Sequence, residues 1–386
     1  MRRNLWITLI AGIILRIVLS SVTFHPDMLA FKLGGEVIAS GKILDLYDYS
    51  NKDIAILNYP PPIYWFHGIF NFLLSRFLDI GLLVKLPYLV FDLLIGFLLF
   101  KLFNQKKEAL LAFAIWMFNP VSIYATYMMG QFDIIPTFFT VLSVYLAAKG
   151  KLAQAALVLG FGIAFKIYPV FLLMPLLILG KTYVDKVKLG VLAILPYILS
   201  IGPYLGSASF RSQALLAGQA DKSLYASIPL SGGEAILLFP TSLILFYFFI
   251  WNKKVENSLW KFYLIPLLLF FIFTHYHPQW LIWITPFLIL NLIEEKFKNL
   301  IPILLIIGSW FGSLFFFDPS LTVGMFAPLF PILQTAGSIW TTLGLNMDYN
   351  LSRSILQTIF VAASFYLILK SFKNPLYYHF PKENNG

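Results

Sequence analysis

The 386-residue chain contains no cysteine. Disulfides, thiolate metal sites and cysteine nucleophiles are therefore excluded, and redox chemistry says nothing about compartment. Charge is equally scarce: Asp, Glu, Lys and Arg make up 12% of positions, about half the share usual in soluble domains. No internal repeat or low-complexity tract interrupts the chain. What fills it is hydrophobic residues at 59%, with 39 Phe and 20 Tyr among them. Such a balance belongs in lipid, where aromatics serve lipid-facing surfaces and interfacial belts. The net charge of +10 needs no nucleic acid, because membrane proteins gather Lys and Arg in cytoplasmic loops. No DNA or RNA partner is expected.

A bilayer core of about 30 Å takes about 20 apolar residues per helical crossing, and such stretches run almost end to end. An all-α polytopic protein of about twelve spans is expected in one domain over residues 1–386. The spans fall near 5–22, 82–103, 109–127, 134–149, 152–165, 167–181, 188–205, 230–251, 260–274, 279–293, 299–317 and 352–371. The opening Met1-Arg2-Arg3 and the apolar run after it resemble a signal peptide, but Arg16 interrupts that run and no small-x-small cleavage site follows. The segment reads as a retained first span. With the N-terminus inside, short loops carrying Lys106 and Lys107, Lys149 and Lys151, Lys181, Lys186 and Lys188, Lys253 and Lys254, and Lys296 and Lys298 all face the cytoplasm. Counting Pro61 to Leu78 as a span would turn every one of them outward. That segment is therefore an interfacial or re-entrant helix within a long first external loop, 23–81, and 318–350 forms a second external excursion.

The distinctive polar residues then collect outside. They are His25-Pro26-Asp27, Asn58-Tyr59-Pro60-Pro61-Pro62, Lys85-Leu86-Pro87, Gly130-Gln131-Phe132-Asp133, Lys166-Ile167-Tyr168-Pro169 and His275-Tyr276-His277-Pro278-Gln279-Trp280. Asp27 follows a proline suited to the first turn of a helix, where a carboxylate stays ionised and can either cap the helix or act as a base. Lys32, Glu36 and Ser40 continue from it at i, i+4 and i+8, as on an amphipathic surface helix. Arg16, Lys85 and Lys166 lie near external span ends and either neutralise a lipid phosphate or anchor at the interface. Asp92, two turns beyond Lys85, is the expected counter-charge of that lysine. His275 and His277 can bind phosphate, move a proton or ligate metal, and with no carboxylate at ligand spacing metal is the weakest of the three.

In this order the residues resemble the GT-C superfamily of polyprenyl-phosphate-sugar-dependent glycosyltransferases. The nearer likeness is to the family 87 type, which includes phosphatidylinositol mannosyltransferases, and a weaker one is to GPI mannosyltransferases. It rests on Asp27, Gly41 with Leu46-Tyr47, Tyr59-Pro60-Pro61, Lys85-Leu86-Pro87 with Asp92, Gly130 to Asp133, Lys166 to Pro169, and His277-Pro278-Gln279. The resemblance implies a GT-C fold whose first external loop bears amphipathic helices, and a hexosyltransferase with Asp27 as catalytic base. It implies a polyprenyl-phosphate-linked donor, mannose as the sugar, a lipid or glycan acceptor, and membrane lipids around the chain. Donor phosphate would meet Lys85, Lys166, His277, His275 or Arg16, and sugar or acceptor hydroxyls would meet Asp133, Gln131 or Tyr59. Some relatives carry Asp-x-Asp in that loop, whereas Asp27 stands alone, so no cofactor and no resident metal is expected. A prokaryotic cytoplasmic membrane with the site facing outward is the expected setting. A secondary transporter or flippase for lipid-linked sugars is the main alternative, and a non-enzymatic assembly subunit with the same fold is the third.

Overall fold

The computed structural model describes residues 2–50, 54–216, 220–251 and 259–373. The expected inside-facing Lys253 and Lys254 lie outside the described residues. The chain is an all-α integral membrane protein. Its main helices are α1 (Arg2–Val22), α2 (Met28–Ala39), α3 (Pro61–Leu74), α4 (Ile80–Leu102), α5 (Lys106–Met128), α6 (Ile134–Ala148) and α7 (Leu152–Phe165). There follow α8 (Tyr168–Leu177), α9 (Tyr183–Ile201), α10 (Leu238–Trp251), α11 (Leu259–Phe273), α12 (Thr285–Glu294), α13 (Leu300–Leu314) and α14 (Tyr349–Lys373).

Four of them, α1, α4, α5 and α14, are long and apolar enough to cross a membrane. Each remaining predicted span meets a helix, but α6 to α8 and α10 to α13 run only 10 to 17 residues. At 1.5 Å per residue a 15-residue helix rises about 22 Å, short of the hydrocarbon thickness of about 30 Å. Proline is one cause, since it removes an N–H from the ladder. The segments predicted to start at 167 and 279 begin as 3₁₀ turns, Tyr168–Leu172 and Pro278–Trp283, each with proline in its first two positions. The span expected from 230 begins only at Leu238, because Ser227–Pro229 (β1) and Ala235–Leu237 (β2) pair as a small antiparallel hairpin. Gly232 and Gly233, with φ of 77° and 89°, turn it.

The centre of the bundle is α11 and α12 with the Pro278–Trp283 turn between them, whose residues are buried almost without exception. Around it, α1 and α14 lie outermost and expose Trp6, Ile10, Ile14, Leu351, Ile355 and Leu369. Apolar side chains face lipid there at no cost in hydration.

The stretch 61–78 forms α3, which ends at Leu74, and at 14 residues it rises about 21 Å. It packs on α2 at backbone distance. A Cβ on Gly34 would stand 2.1 Å from the Tyr64 ring, and one on Gly68 would stand 2.3 Å from Ile38. The opposite side exposes Ile69, Phe72 and Leu73, so the hairpin offers an apolar surface outward. The second excursion, 318–350, is a chain of short 3₁₀ turns and one helix turn, Ile339–Thr342. It joins the first loop through Phe24 N–H donating to Met325 O at 2.8 Å.

Candidate functional site

α1 ends at Val22, and a buried turn then brings His25 and Asp27 to the start of α2. Asp27 occupies the cap position but makes no side-chain cap bond. Its carboxylate points to another partner: Gln131 Nε2 donates to Asp27 Oδ2 at 2.7 Å. His25 Nδ1 accepts the Asp27 N–H at 3.2 Å, which places any proton of a neutral ring on Nε2. Burial lowers the His25 pKa, while the carboxylates of Asp27 and Asp318 work against that shift. The Asp27 side chain remains 45% exposed, with Oδ1 outside every hydrogen bond among the described residues. One oxygen is fixed and the other is free.

Gln131 is placed by a reversal at Gly130, whose φ of 72° is in the left-handed region. A Cβ there would also meet Met28 Sδ at 2.5 Å. Two residues on, the fully buried Asp133 accepts from Lys166 Nζ at 2.7 Å and from Trp283 Nε1 at 2.6 Å, both on Oδ1. Its Oδ2 and the Gln131 Oε1 are buried without a partner. Lys166 follows the end of α7 and has Tyr59, Phe132, Trp280 and Trp283 rings within 5.6 Å of its ammonium. Burial pulls its pKa down, and Asp133 and then Asp27 resist. The three-residue motif after Gly130 thus holds the base candidate at one end and a buried ion pair at the other.

Tyr59 packs its ring against Phe132, centroids 4.8 Å apart, and against Phe31. Burial raises its pKa well above the usual value, and the charges of Asp27 and Asp133 add to that. A cleft of about 340 Å³ opens beside it, lined by Tyr59, Lys166, Tyr168, Phe171, Trp280 and Trp283 among others. Tyr168 and Trp283 stack there at 4.0 Å. His277 lies near the same cleft and is hydrogen-bonded to Lys222 Nζ at 2.7 Å. Burial first, then the cations Lys222 and Lys166, push the His277 pKa down to about 4, so the ring is neutral and accepts from the lysine.

Three expected phosphate ligands go elsewhere. Lys85 is fully buried and donates to Thr23 O at 2.6 Å, Thr23 Oγ1 at 2.9 Å and Ser20 O at 3.3 Å, tying off the end of α1. Arg16 is buried against Asp92, which also accepts from Trp116 Nε1 and Tyr127 OH, both at 2.7 Å. The expected Lys85–Asp92 pairing is therefore corrected: α1 and its end take both groups, Asp92 through Arg16 and Lys85 through Ser20 and Thr23. His275 is exposed and lines a different cavity. Lys222 is the residue sequence reasoning missed. In the sequence it is one lysine in a polar stretch, and only the fold carries Ala220–Leu224 to His277. Among the described residues no three His, Asp or Glu side chains converge at metal-ligand distance.

A family model described as GPI transamidase subunit PIG-U matches residues 58–324. GPI mannosyltransferase 1 of Saccharomyces cerevisiae is 30% identical over 121 residues, which is 31% of this chain and 29% of that relative. The chain thus spans under a third of the curated relative it matches. Of the two likenesses named from sequence, the one to GPI mannosyltransferases meets a relative; the family 87 type is not shown. A yeast relative lends no support to a prokaryotic membrane.

Proposed function

The chain belongs to the GPI transamidase subunit PIG-U family, and from the geometry around Asp27 and the likeness to a GPI mannosyltransferase we propose that it is a membrane glycosyltransferase that moves a sugar from a polyprenyl-phosphate donor onto a glycolipid acceptor. The observation that carries this reading is the Asp27 carboxylate, uncoupled from the helix it precedes, held through Oδ2 by Gln131 and open at Oδ1. A carboxylate so held can take the proton of an acceptor hydroxyl while that oxygen attacks the anomeric carbon opposite the departing phosphate. The bond to phosphate breaks as the new glycosidic bond forms, and configuration inverts.

Charge building on the leaving phosphate needs cations in a site shielded from water. Lys166 and Lys222, the latter with His277, take this role beside the aromatic cleft, while Lys85 and Arg16 serve the packing of α1. Tyr59, Gln131 and Asp133 shape the sugar and acceptor side. The apolar walls of the cleft suit the start of a polyprenyl chain. Mannose as the sugar and a GPI-type glycolipid as the acceptor come from the yeast relative's name. The site works at the non-cytoplasmic face, within a twelve-crossing bundle, and needs no resident metal.

A second reading has a specific support. The family description is that of a transamidase subunit, and the matched residues 58–324 leave Asp27 outside. Membranes holding the chain, given polyprenyl-phosphate [¹⁴C]mannose and glycolipid acceptors, decide between the two. Label appears in the acceptor with the wild-type chain and vanishes with Asp27→Asn if the chain is a transferase. Absence of transfer at any donor and acceptor concentration, in protein that still folds, leaves the subunit reading.

A further inference from the structure

A cavity of about 590 Å³ lies where the end of α11, the end of α13 and the start of α14 meet, and it shares no lining residue with the cleft beside Tyr59. No carboxylate lines it. Arg353 supplies its one permanent cation, and Thr274, Ser309, Ser313 and Gln357 supply neutral polar groups. Thr274 is 3% exposed, and its Oγ1 is buried without a hydrogen-bond partner. The two acids that flank its walls in sequence cap turns of their own: Asp318 accepts from Ser320 N–H at 2.8 Å and Asp348 from Leu351 N–H at 3.0 Å.

Arg353 forms no ion pair among the described residues. It lies over the Phe317 ring at 5.4 Å and reaches only the Asn350 side-chain oxygen, at 3.2 Å. Asn350, Arg353 and Gln357 follow at i, i+3 and i+7, on one face of the first three turns of a 25-residue helix. The positive end of its dipole lies on the same side as the guanidinium. On the outer face Leu351 and Ile355 are more than half exposed, so a lipid beside α14 reaches the cavity mouth without leaving the bilayer. A guanidinium fork without an ion-pair partner among the described residues, the unpartnered Thr274 hydroxyl and a helix start together suit a phosphate oxygen cluster.

We propose that this cavity binds the phosphate of a lipid headgroup, with Arg353 as its charged ligand and Thr274 as a hydroxyl donor. The site is separate from the Asp27 cleft and does not depend on sugar transfer. His275 lines it, exposed at one side, and partial desolvation together with the positive charges of Lys222 and Arg353 lowers its pKa, so at neutral pH the ring adds a hydrogen bond rather than a charge.

The test uses the purified full chain in detergent, titrated with tail-labelled phosphatidic acid and with tail-labelled phosphatidylcholine. The wild type should prefer phosphatidic acid at least about tenfold, in line with a charge-assisted bidentate contact. Arg353→Gln should abolish the preference, Thr274→Val should weaken it, and Arg353→Lys, which keeps the charge without the fork, should retain part of it. Asp27→Asn and Lys166→Gln should leave it unchanged. Millimolar inorganic phosphate that displaces the lipid identifies a site for phosphate as such; failure to displace assigns the recognition to the lipid-borne group. A folded Arg353→Gln or Arg353→Lys variant with the full wild-type preference overturns the proposal, as does a preference lost in Lys166→Gln instead.

Discussion

Removing Asp133 tests the architecture beneath the site without reference to catalysis. Its Oδ1 holds Lys166 at 2.7 Å and the Trp283 indole at 2.6 Å, and the carboxylate is fully buried. Asp133→Leu leaves a buried ammonium with only the more distant Asp27 and a set of rings, and strands the Trp283 N–H. Breaking one side of such a pair costs about 3–5 kcal/mol, most of it desolvation of the charge left behind. Lys166→Met should cost a similar amount, whereas Asp133→Leu with Lys166→Met removes both charges and should cost no more than about 1 kcal/mol. Unfolding in mixed micelles, followed through tryptophan fluorescence to which Trp283 stacked on Tyr168 contributes, measures the cycle. The pH gives an independent arm. Without Asp133 the main force raising the Lys166 pKa is gone and burial remains. The folded state then releases a proton that the unfolded chain keeps up to about 10.5, so the penalty should shrink as pH rises toward 10.5. Single costs that simply add in the double variant, within about 0.5 kcal/mol, would refute the idea of a buried interacting pair.

Asp27→Asn should abolish label transfer to the glycolipid acceptor with little change in stability; retention of more than a few per cent of the rate removes Asp27 as the base. Lys166→Gln and Lys222→Gln should each lower the maximal rate by about tenfold or more, equal to about 1.4 kcal/mol of barrier, and unchanged rates at saturating donor would move the phosphate elsewhere. Gly34→Ala forces a methyl against the buried Tyr64 ring and should destabilise by about 1–3 kcal/mol, read as a lower thermal midpoint; a neutral result means that α2 and α3 part without penalty. His277, with a folded pKa of about 4 against 6.5 unfolded, should erode stability as pH falls below 6.5, since the unfolded chain takes up the proton first. His277→Gln should flatten that slope, and an unchanged slope would assign the acid sensitivity to another group.

Composition made the membrane character legible, and of the residues the motifs singled out, Asp27 meets Gln131, Asp133 meets Lys166, and His277 feels the charge of Lys166, while Lys85, Arg16 and His275 lie elsewhere. Periodicity did less well wherever a helix is shortened. Apolar runs such as 279–293 look uniform to a hydropathy window, yet the Pro278–Trp283 turn is 3₁₀ and a separate ten-residue helix begins at Thr285. The destinies of individual cations were hidden for a different reason. Arg16, Lys85 and Lys166 all sit near apolar span ends, but whether a guanidinium meets Asp92 or an ammonium meets Thr23 depends on which helices become neighbours. Lys222 had no sequence signal, because its value lies wholly in the histidine that the tertiary fold puts within 2.7 Å.

The capping alternative for Asp27 shows where a structure adds what residue type cannot. A carboxylate before a helix most often bonds to the exposed N–H groups of the first turn. Here that bond is absent, and an amide from 104 positions away holds the side chain instead. Asp92, by contrast, is buried with both oxygens satisfied among Arg16, Trp116 and Tyr127. Asp27 leaves one oxygen free on a half-exposed side chain whose charge reaches the caged Lys166. That asymmetry is what a positioned base needs: one oxygen to be aimed and one to accept the proton. On the proposed transferase reading Asp27→Asn removes that basic oxygen and with it label transfer, whereas the subunit reading gives it no such role, so the one substitution separates the two.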